Sequence, residues 1–309
     1  MKALFFTHAG LDFGADGLAH GLSALGELID WPVKPELHGG NRQPYYPAPF
    51  ELQQHYYGAA QLCDELNYRD FDVIVIGDAS LDTLARVREL REFIAPLSDR
   101  LVFYDGADDC TDKLSLVMSV TGLRPVLSFK RELPIGAHWA LPLAFGFPEE
   151  RIDTVTTQGR TGVCMIAASY PHRQHYARAL QSAGIAGVRL STGYESRIPI
   201  EDHGRAYAAA SVGISVSGAG WMTYRHLEVA AFGCCPIMDL PSIQWEHGFM
   251  DGTECRYCTG EADLVAIARE LLNDPKEARR IASNAQRTLR TFHTTRALAE
   301  RVVEFLRKA

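Results

Sequence analysis

The sequence predicts an α/β protein made of two Rossmann-like lobes whose parallel sheets face a cleft. Three observations support this. Short apolar runs that read as strands alternate with amphipathic helical segments. That cycle occurs twice, once in residues 1–150 and again from residue 151. The chain of 309 residues also exceeds one average domain. Strands that are apolar throughout belong to parallel sheets covered by helices on both faces. In such open sheets ligands bind beyond the carboxyl ends of the strands, so facing lobes would line one cleft with both sets of ends.

In the first half Lys2–Phe6 reads as a buried strand, followed by a turn with Gly10, Gly14 and Gly17. Leu18, Leu22, Leu25 and Ile29 then recur at helical spacing. Residues 71–76 form a β-branched run that stops at Gly77-Asp78. Leu84, Val87, Leu90 and Ile94 mark another helix, and 101–104 a strand ending in Asp105-Gly106. The stretch 31–57, rich in Pro, Gly, His and Tyr, is long enough to be read as a functional loop. The pattern lapses over 141–160, where Pro142, Gly146 and Pro148 suggest an interdomain linker.

The second cycle has strands at Val163–Ala168, Val188–Ser191, 212–216 and 236–239. Helices are expected over 173–183, 204–210, 224–232, 264–272 and 275–291. The second lobe is therefore placed at 151–291. Residues 292–309 are expected to form a last helix packing back on the first lobe, with Thr294 or Thr295 as its N-cap.

Composition is that of a globular protein, with 47% hydrophobic and 22% charged residues. A net charge of −7 shows no basic excess of the kind that favours nucleic acid. No segment approaches the roughly 18 apolar residues of a membrane span, and the N-terminal apolar run is too short for a signal peptide. The expected location is the cytoplasm. Seven cysteines, an odd and scattered set, argue against a disulfide framework. Cys255 and Cys258 form a lone C-x-x-C near His247, read as incidental cysteines or, less simply, as part of a zinc site.

The strongest local signal lies at 212–228, where a strand enters a Gly-rich turn and then a helix. Gly218 and Gly220 let a backbone approach a ligand closely, and unpaired N–H groups at a helix start suit a phosphate. The third glycine of the dinucleotide fingerprint is missing, which weighs against NAD. Arg225 and Glu228, three apart, share a helix face. They are either a solvated pair, or a phosphate ligand and a carboxylate for two ribose hydroxyls.

The run Arg225-His226-Leu227-Glu228-Val229-Ala230-Ala231-Phe232-Gly233-Cys234-Cys235-Pro236 resembles the R-x-x-E-x-x-A-x-G segment of GT-B glycosyltransferases, in particular the CgeB-like spore-maturation family. The continuation through Phe249-Met250-Asp251-Gly252-Thr253-Glu254, Tyr257 and His293-Thr294-Thr295-Arg296 is similar as well. This resemblance covers about residues 160–309. In the first half Asp105-Gly106-Ala107-Asp108-Asp109 and Phe129-Lys130-Arg131-Glu132-Leu133 look like the same family's D-G-x-D-D and F-K-R-E-L segments.

The resemblance implies a GT-B glycosyltransferase that moves a sugar from a nucleotide sugar, such as a UDP-sugar, to a hydroxyl acceptor, with retention favoured. No metal and no cofactor beyond the nucleotide-sugar co-substrate are expected, because helix dipoles and basic side chains can meet the leaving diphosphate. Glu228 would bind the ribose. Gly218, Gly220 and Arg225 would hold the diphosphate, with Arg173 and His293 as further donor-site candidates. Asp105, His8 and Asp16 are the catalytic candidates, and Gly10, Gly14, Asp108, Asp109 and Lys130 the acceptor-side ones. The aspartates could orient an acceptor, hold a metal or cap a helix, and Lys130-Arg131-Glu132 could form an internal ion pair. Trp221, Tyr224 and Tyr194 are candidates to stack on a base. Two other readings stay open: transfer to a modified DNA base, and a non-catalytic nucleotide-sugar binder or structural protein with the same fold.

Overall fold

The computed structural model describes residues 1–8, 10–38, 52, 59–67, 70–152, 159–192 and 198–309. It is an α/β structure with two parallel sheets, and the chain divides into two compact units. The first runs to Gly146 and takes in Thr295–Ala309, and the second is Phe147–Thr294. Tyr194 and nearly all of 39–58 lie outside the described residues.

In the first unit the elements are β1 (Lys2–Phe6), α1 (Phe13–Ser23), β2 (Glu27–Trp31), α2 (Ala59–Asn67), β3 (Val73–Ile76), α3 (Leu81–Glu89), α4 (Arg91–Ile94), β4 (Leu101–Asp105), α5 (Leu114–Thr121), β5 (Leu127–Lys130) and the short β6 (Leu141–Pro142). The sheet order is β2-β1-β3-β4-β5-β6, every pair parallel. One side of the sheet packs Leu4, Phe6, Ile74, Ile76 and Phe103 against Leu84, Val87 and Val117 from the helices. The central strands β1, β3 and β4 are buried on both faces, which is why they read as apolar runs rather than as alternations.

Ile29 departs from the sequence expectation. Its spacing from Leu18 and Leu22 is helical, yet α1 stops at Ser23 and Ile29 sits in β2, paired with Leu4 of β1. The turn is tight at Gly26, where a Cβ would lie 2.1 Å from the Met1 carbonyl oxygen. The parallel pairing with β1 therefore wins over the continued 3.6-residue period. The 84–94 helix is likewise two pieces, broken at Leu90.

The second unit contains β7 (Val163–Ala168), α6 (Pro171–Ser182), β8 (Val188–Ser191), α7 (Ile200–Ala209), β9 (Val212–Ser215), α8 (Tyr224–Ala231), β10 (Cys235–Asp239), β11 (Arg256–Cys258), α9 (Glu261–Asn273) and α10 (Pro275–Phe292). Its sheet runs β8-β7-β9-β10-β11, again parallel throughout. Counted from the first strand of each unit, the second sheet follows the order 2-1-3-4-5 and the first the same order with a sixth strand, β6, added at the end. The direction of winding thus reverses between β1 and β3, and between β7 and β9. Crevices at the carboxyl ends of such strand pairs are where this architecture binds ligands.

The last helix, α11 (Thr295–Lys308), belongs to the first unit and packs along α1. His20 Nδ1 meets Thr295 Oγ1 at 2.8 Å, and Leu298, Ala299 and Val302 are buried. The approach is close because of Gly21, where a Cβ would lie 1.9 Å from the Thr295 carbonyl oxygen and 3.0 Å from Ala299 Cβ. Among the described residues no helix is long and apolar enough to cross a membrane. Replacing Gly21 by Ala should push α11 off α1 and destabilise the protein by about 1–3 kcal/mol, read from the midpoint of urea unfolding. An unchanged midpoint would contradict this packing.

Candidate functional site

The turn between β9 and α8 begins at the switch point of the second sheet and is held from several directions. Arg173, in the first turn of α6 after β7, is 3% exposed. Its guanidinium donates Nε–H to Ser217 O (2.8 Å), Nη2–H to Val216 O (2.9 Å) and Nη1–H to Ala168 O (3.4 Å). His172 Nε2 lies 2.6 Å from the same Ser217 carbonyl, so it donates there. Ser217 N–H donates to Asp239 Oδ1 at the end of β10 (3.0 Å), and Gly218 N–H to Gly220 O (2.8 Å). Gly218 has little room for a side chain: a Cβ there would sit 3.0 Å from Arg173 Nη2.

His226 closes the turn from the helix side. It is fully buried, with Nδ1 2.8 Å from Ser215 Oγ and Nε2 2.9 Å from Trp221 O. A carbonyl only accepts, so Nε2 carries the proton and Nδ1 accepts from the serine hydroxyl. Burial, with the nearby Arg225 and Arg173 adding to it, pushes its pKa down to about 3, and the ring is neutral.

Two charges on α8 contrast with this saturated scaffold. Arg225 is half-buried and its Nε is buried without a hydrogen-bond partner, and no carboxylate among the described residues pairs with it. Glu228 is 7% exposed, yet among the described residues no hydrogen bond reaches its carboxylate. Its nearest charged neighbour is His203 of α7, whose Nδ1 is 3.7 Å from Glu228 Oε1. Burial first, and then proximity to Arg225, lowers the pKa of Arg173 to about 9, so it stays protonated at neutral pH. Two neighbouring guanidiniums with no carboxylate bound to either, at a helix start, suit a phosphorylated ligand. An open carboxylate three residues along the same helix suits a pair of hydroxyls.

The remaining second-unit candidates are engaged in packing. His293 is 3% exposed at the end of α10. Its Nε2 meets His247 O at 2.8 Å, and its ring packs near Trp245 and Phe249. Trp221 is 5% exposed against His226 and Trp245, and Tyr224 packs on Phe147. Cys255 and Cys258 are buried free thiols whose pKa burial raises to about 12, and Cys258 is part of the core. Among the described residues no group of three or more His, Cys, Asp or Glu is arranged to hold a metal.

In the first unit the sequence candidates gather at the ends of β1, β4 and β5, mostly as paired charges. Asp105, 2% exposed, receives Lys130 Nζ at 2.8 Å and faces Lys113 Nζ at 3.5 Å. Asp109 pairs with Lys113 (2.8 Å) and Lys130 (3.5 Å), and Arg131 binds Asp108 and Glu132. Partial burial pulls the Asp109 carboxyl upward, but hydrogen bonds from Lys113 and Thr111 outweigh it and hold it below the usual range. None of the three aspartates caps α5; Asp112 accepts from Leu114 N there.

Asp16 is 1% exposed and receives Lys34 Nζ at 2.5 Å. Asp12, which the sequence did not single out, caps α1 by accepting from Gly14 N and Ala15 N. Gly14 lies against Tyr104, whose hydroxyl would be 2.4 Å from a Cβ there. His8 is the accessible member of the catalytic candidates, at 29% side-chain exposure. Its Nδ1 accepts from Gly10 N (2.8 Å), which leaves the proton of the neutral ring on Nε2.

Sequence reasoning missed His172, His203 and Asp239. His172 adjoins the singled-out Arg173, and Asp239 ends a recognised strand, so their positions at carboxyl ends were a usable signal. His203 lies in mid-helix and carried none.

The buried histidines make stability pH-dependent. His226 and His293 have folded-state pKa values of about 3 and about 4, both set mainly by burial, against 6.5 in the unfolded chain. Below pH 6.5 the unfolded state binds more protons, so the stability these neutral rings confer is complete above 6.5. It is lost as pH falls toward 4, at about 1.4 kcal/mol per pH unit for each ring. Urea midpoints measured from pH 7 to 4 should fall accordingly, and less steeply in His226→Asn. A flat profile would contradict the neutral buried rings.

Residues 165–304 match the family described as Glycosyl transferase-like. No curated protein matches the chain in sequence. Among solved structures, HepE from Anabaena, in complex with UDP and glucose, superposes with a TM-score of 0.62 at 13% identity over 100% of both chains. An alpha-glucosyltransferase bound to UDP and a 13-mer DNA gives 0.61 at 13% identity over 99% of each chain. Sucrose-phosphate synthase from Thermosynechococcus elongatus gives 0.57 at 12% identity, covering 99% of this chain and 98% of that one. At such identities the likeness is one of fold. Residues 165–304 thus match a glycosyl transferase-like family model, and the whole chain shares the two-sheet GT-B fold of these glycosyltransferase structures.

Proposed function

We propose that the protein transfers a sugar from a nucleotide sugar, in the first instance a UDP-sugar, to a hydroxyl acceptor. The observation that carries this is the pair of unsatisfied charges on α8. Arg225 and Glu228 lack hydrogen-bonding partners among the described residues, beside a turn that Arg173, His172, Asp239 and His226 hold in place. Arg225 and Arg173 face the diphosphate and Glu228 the ribose. The bound UDP and UDP-glucose of HepE and of the alpha-glucosyltransferase support the choice of donor.

Transfer breaks the bond from the anomeric carbon to the diphosphate and forms one to the acceptor oxygen. Negative charge grows on the departing diphosphate, where two guanidiniums and the amino end of α8 stabilise it. The chain's own cations meet this charge, with no cofactor beyond the donor. Retention follows the resemblance: the acceptor attacks from the face the diphosphate leaves, and a diphosphate oxygen takes its proton. His8, with its proton on Nε2, serves as a hydrogen-bond donor to a sugar hydroxyl. The kinship with the CgeB-like family, carried by the Arg225–Pro236 motif and by His293-Thr294-Thr295-Arg296, belongs to this proposal. An overall charge of −7 gives a DNA acceptor no electrostatic support.

Incubation with a panel of nucleotide sugars should release free nucleotide from one of them, and proton NMR of the product should show the donor's anomeric configuration. By calorimetry, Glu228→Ala should weaken UDP binding by about 1–3 kcal/mol, the loss of charge-assisted hydrogen bonds. Arg225→Ala should weaken UDP more than uridine, since only UDP carries the diphosphate. If Glu228→Ala binds UDP like the parent, the ribose assignment fails. Equal losses for UDP and uridine in Arg225→Ala would remove the diphosphate assignment.

A further inference from the structure

His203 takes no part in the turn, yet its position is dictated by the same core. Its ring, 8% exposed, meets the buried Tyr207 ring edge-on at 4.9 Å. Tyr207 is itself fixed: its hydroxyl accepts from Ile166 N of β7 (3.2 Å), and its carbonyl accepts from Cys234 Sγ (2.9 Å). The His203 Nδ1 atom is buried and has no hydrogen-bond partner, and it lies 3.7 Å from Glu228 Oε1. That separation is just beyond hydrogen-bond reach. A buried ring nitrogen without a partner, next to a carboxylate that accepts no hydrogen bond among the described residues, is an arrangement that a ligand can complete.

We propose that His203 is a positioning residue for Glu228. When a ribonucleotide binds, His203 Nδ1–H closes on Glu228 Oε1 and fixes the carboxylate so that it accepts from both ribose hydroxyls. Discrimination against deoxyribose then runs through this pair. The inference rests on the reading of Glu228 as the ribose ligand.

The charged groups facing His203 are Glu228 and Arg225 on α8 and Arg151 near the start of the unit. Burial lowers its pKa, Arg225 and Arg151 lower it further, and Glu228 opposes them only in part. The ring is therefore neutral at physiological pH. A neutral N–H orients a carboxylate without cancelling its charge, and the remaining oxygen lone pairs stay available for hydroxyl donors. A 2′-deoxynucleotide would leave one of those acceptors unpaired.

The test compares UDP with 2′-deoxy-UDP by calorimetry on the parent protein, His203→Phe, His203→Asn, Glu228→Gln and the His203→Phe/Glu228→Gln double variant. The parent should prefer UDP by about tenfold or more, the scale of one hydrogen bond to a charged group. His203→Phe keeps the ring against Tyr207 but should lose about tenfold in UDP affinity and most of the preference. His203→Asn places an amide N–H near the Nδ1 position and should restore both. In the Glu228→Gln background His203→Phe should cost little more, because the two act through one contact.

A His203→Phe variant that keeps the parent's preference, or one whose losses His203→Asn does not restore, would overturn the role of His203. If Glu228→Gln leaves UDP affinity unchanged, the ribose reading itself fails, which is a separate result. Should His203→Phe not fold, His203→Asn against His203→Gln decides, since the Gln amide reaches the Nε2 position. Equal ribose preference in those two would overturn the proposal.

Discussion

Arg173 reaches from the start of α6 to three carbonyl oxygens, those of Ala168 at the end of β7 and of Val216 and Ser217 just past β9. These carbonyls lie where the sheet hydrogen bonds run out, and buried backbone acceptors need partners. One guanidinium supplies them and joins the two strand ends on either side of the winding reversal. The rest of the turn follows from this. Ser217 is oriented so that its N–H meets Asp239, and Gly218 has little room for a side chain because Arg173 Nη2 lies 3.0 Å from where a Cβ would sit. Because carbonyls rather than carboxylates bind it, Arg173 keeps its positive charge uncancelled, with Arg225 close enough to depress its pKa. Two uncompensated cations in a largely buried setting are costly unless an anion joins them.

The first unit repeats the strand order but resolves its charges differently. Lys130 sits between Asp105 and Asp109, Arg131 holds Asp108, and Lys34 holds Asp16. Asp105, Lys130 and the Asp16–Lys34 pair are buried, whereas Asp108 and Asp109 are exposed partners of buried cations; together they fix the ends of β4, β5 and α1. The two units therefore differ in whether their charges already have partners, although sequence presents both as charged residues after strands. That distinction is what directs the functional reading to α8.

The histidines show how one residue type serves several ends within a single domain. His226 and His293 are neutral, each with a ring nitrogen on a carbonyl, and stabilise loops. His172 adds a second donor to Ser217 O. His203 alone of these has a buried ring nitrogen with no partner, set beside a carboxylate that accepts no hydrogen bond among the described residues. Hydrogen-bond satisfaction, rather than residue type, separates scaffold from candidate ligand-responsive groups.

By itself the sequence determined the alternation of strands and helices, the repetition of that cycle, and the Gly-rich turn leading into Arg225 and Glu228. Local period and turn chemistry act over a few residues, so they survive in a linear reading. Of the second unit's elements, Val163–Ala168 and Val188–Ser191 were legible to the residue. The first is apolar along its whole length because it is buried, and the second, an edge strand with Arg189 exposed, alternates Val188 and Leu190 with polar residues. The failure at Ile29 has the same logic in reverse: its helical spacing was real, but pairing with Leu4 of β1 is a contact between distant residues. Tertiary structure alone decided the strand order, and hence where each winding reversal falls. It also decided which charges find partners: Asp105 and Asp16 are consumed in ion pairs, whereas Arg225 and Glu228 are not. Pairing depends on distances between residues far apart in the chain, as with Asp105 and Lys130 or Arg173 and Ser217. Spacing along a sequence carries no measure of those distances.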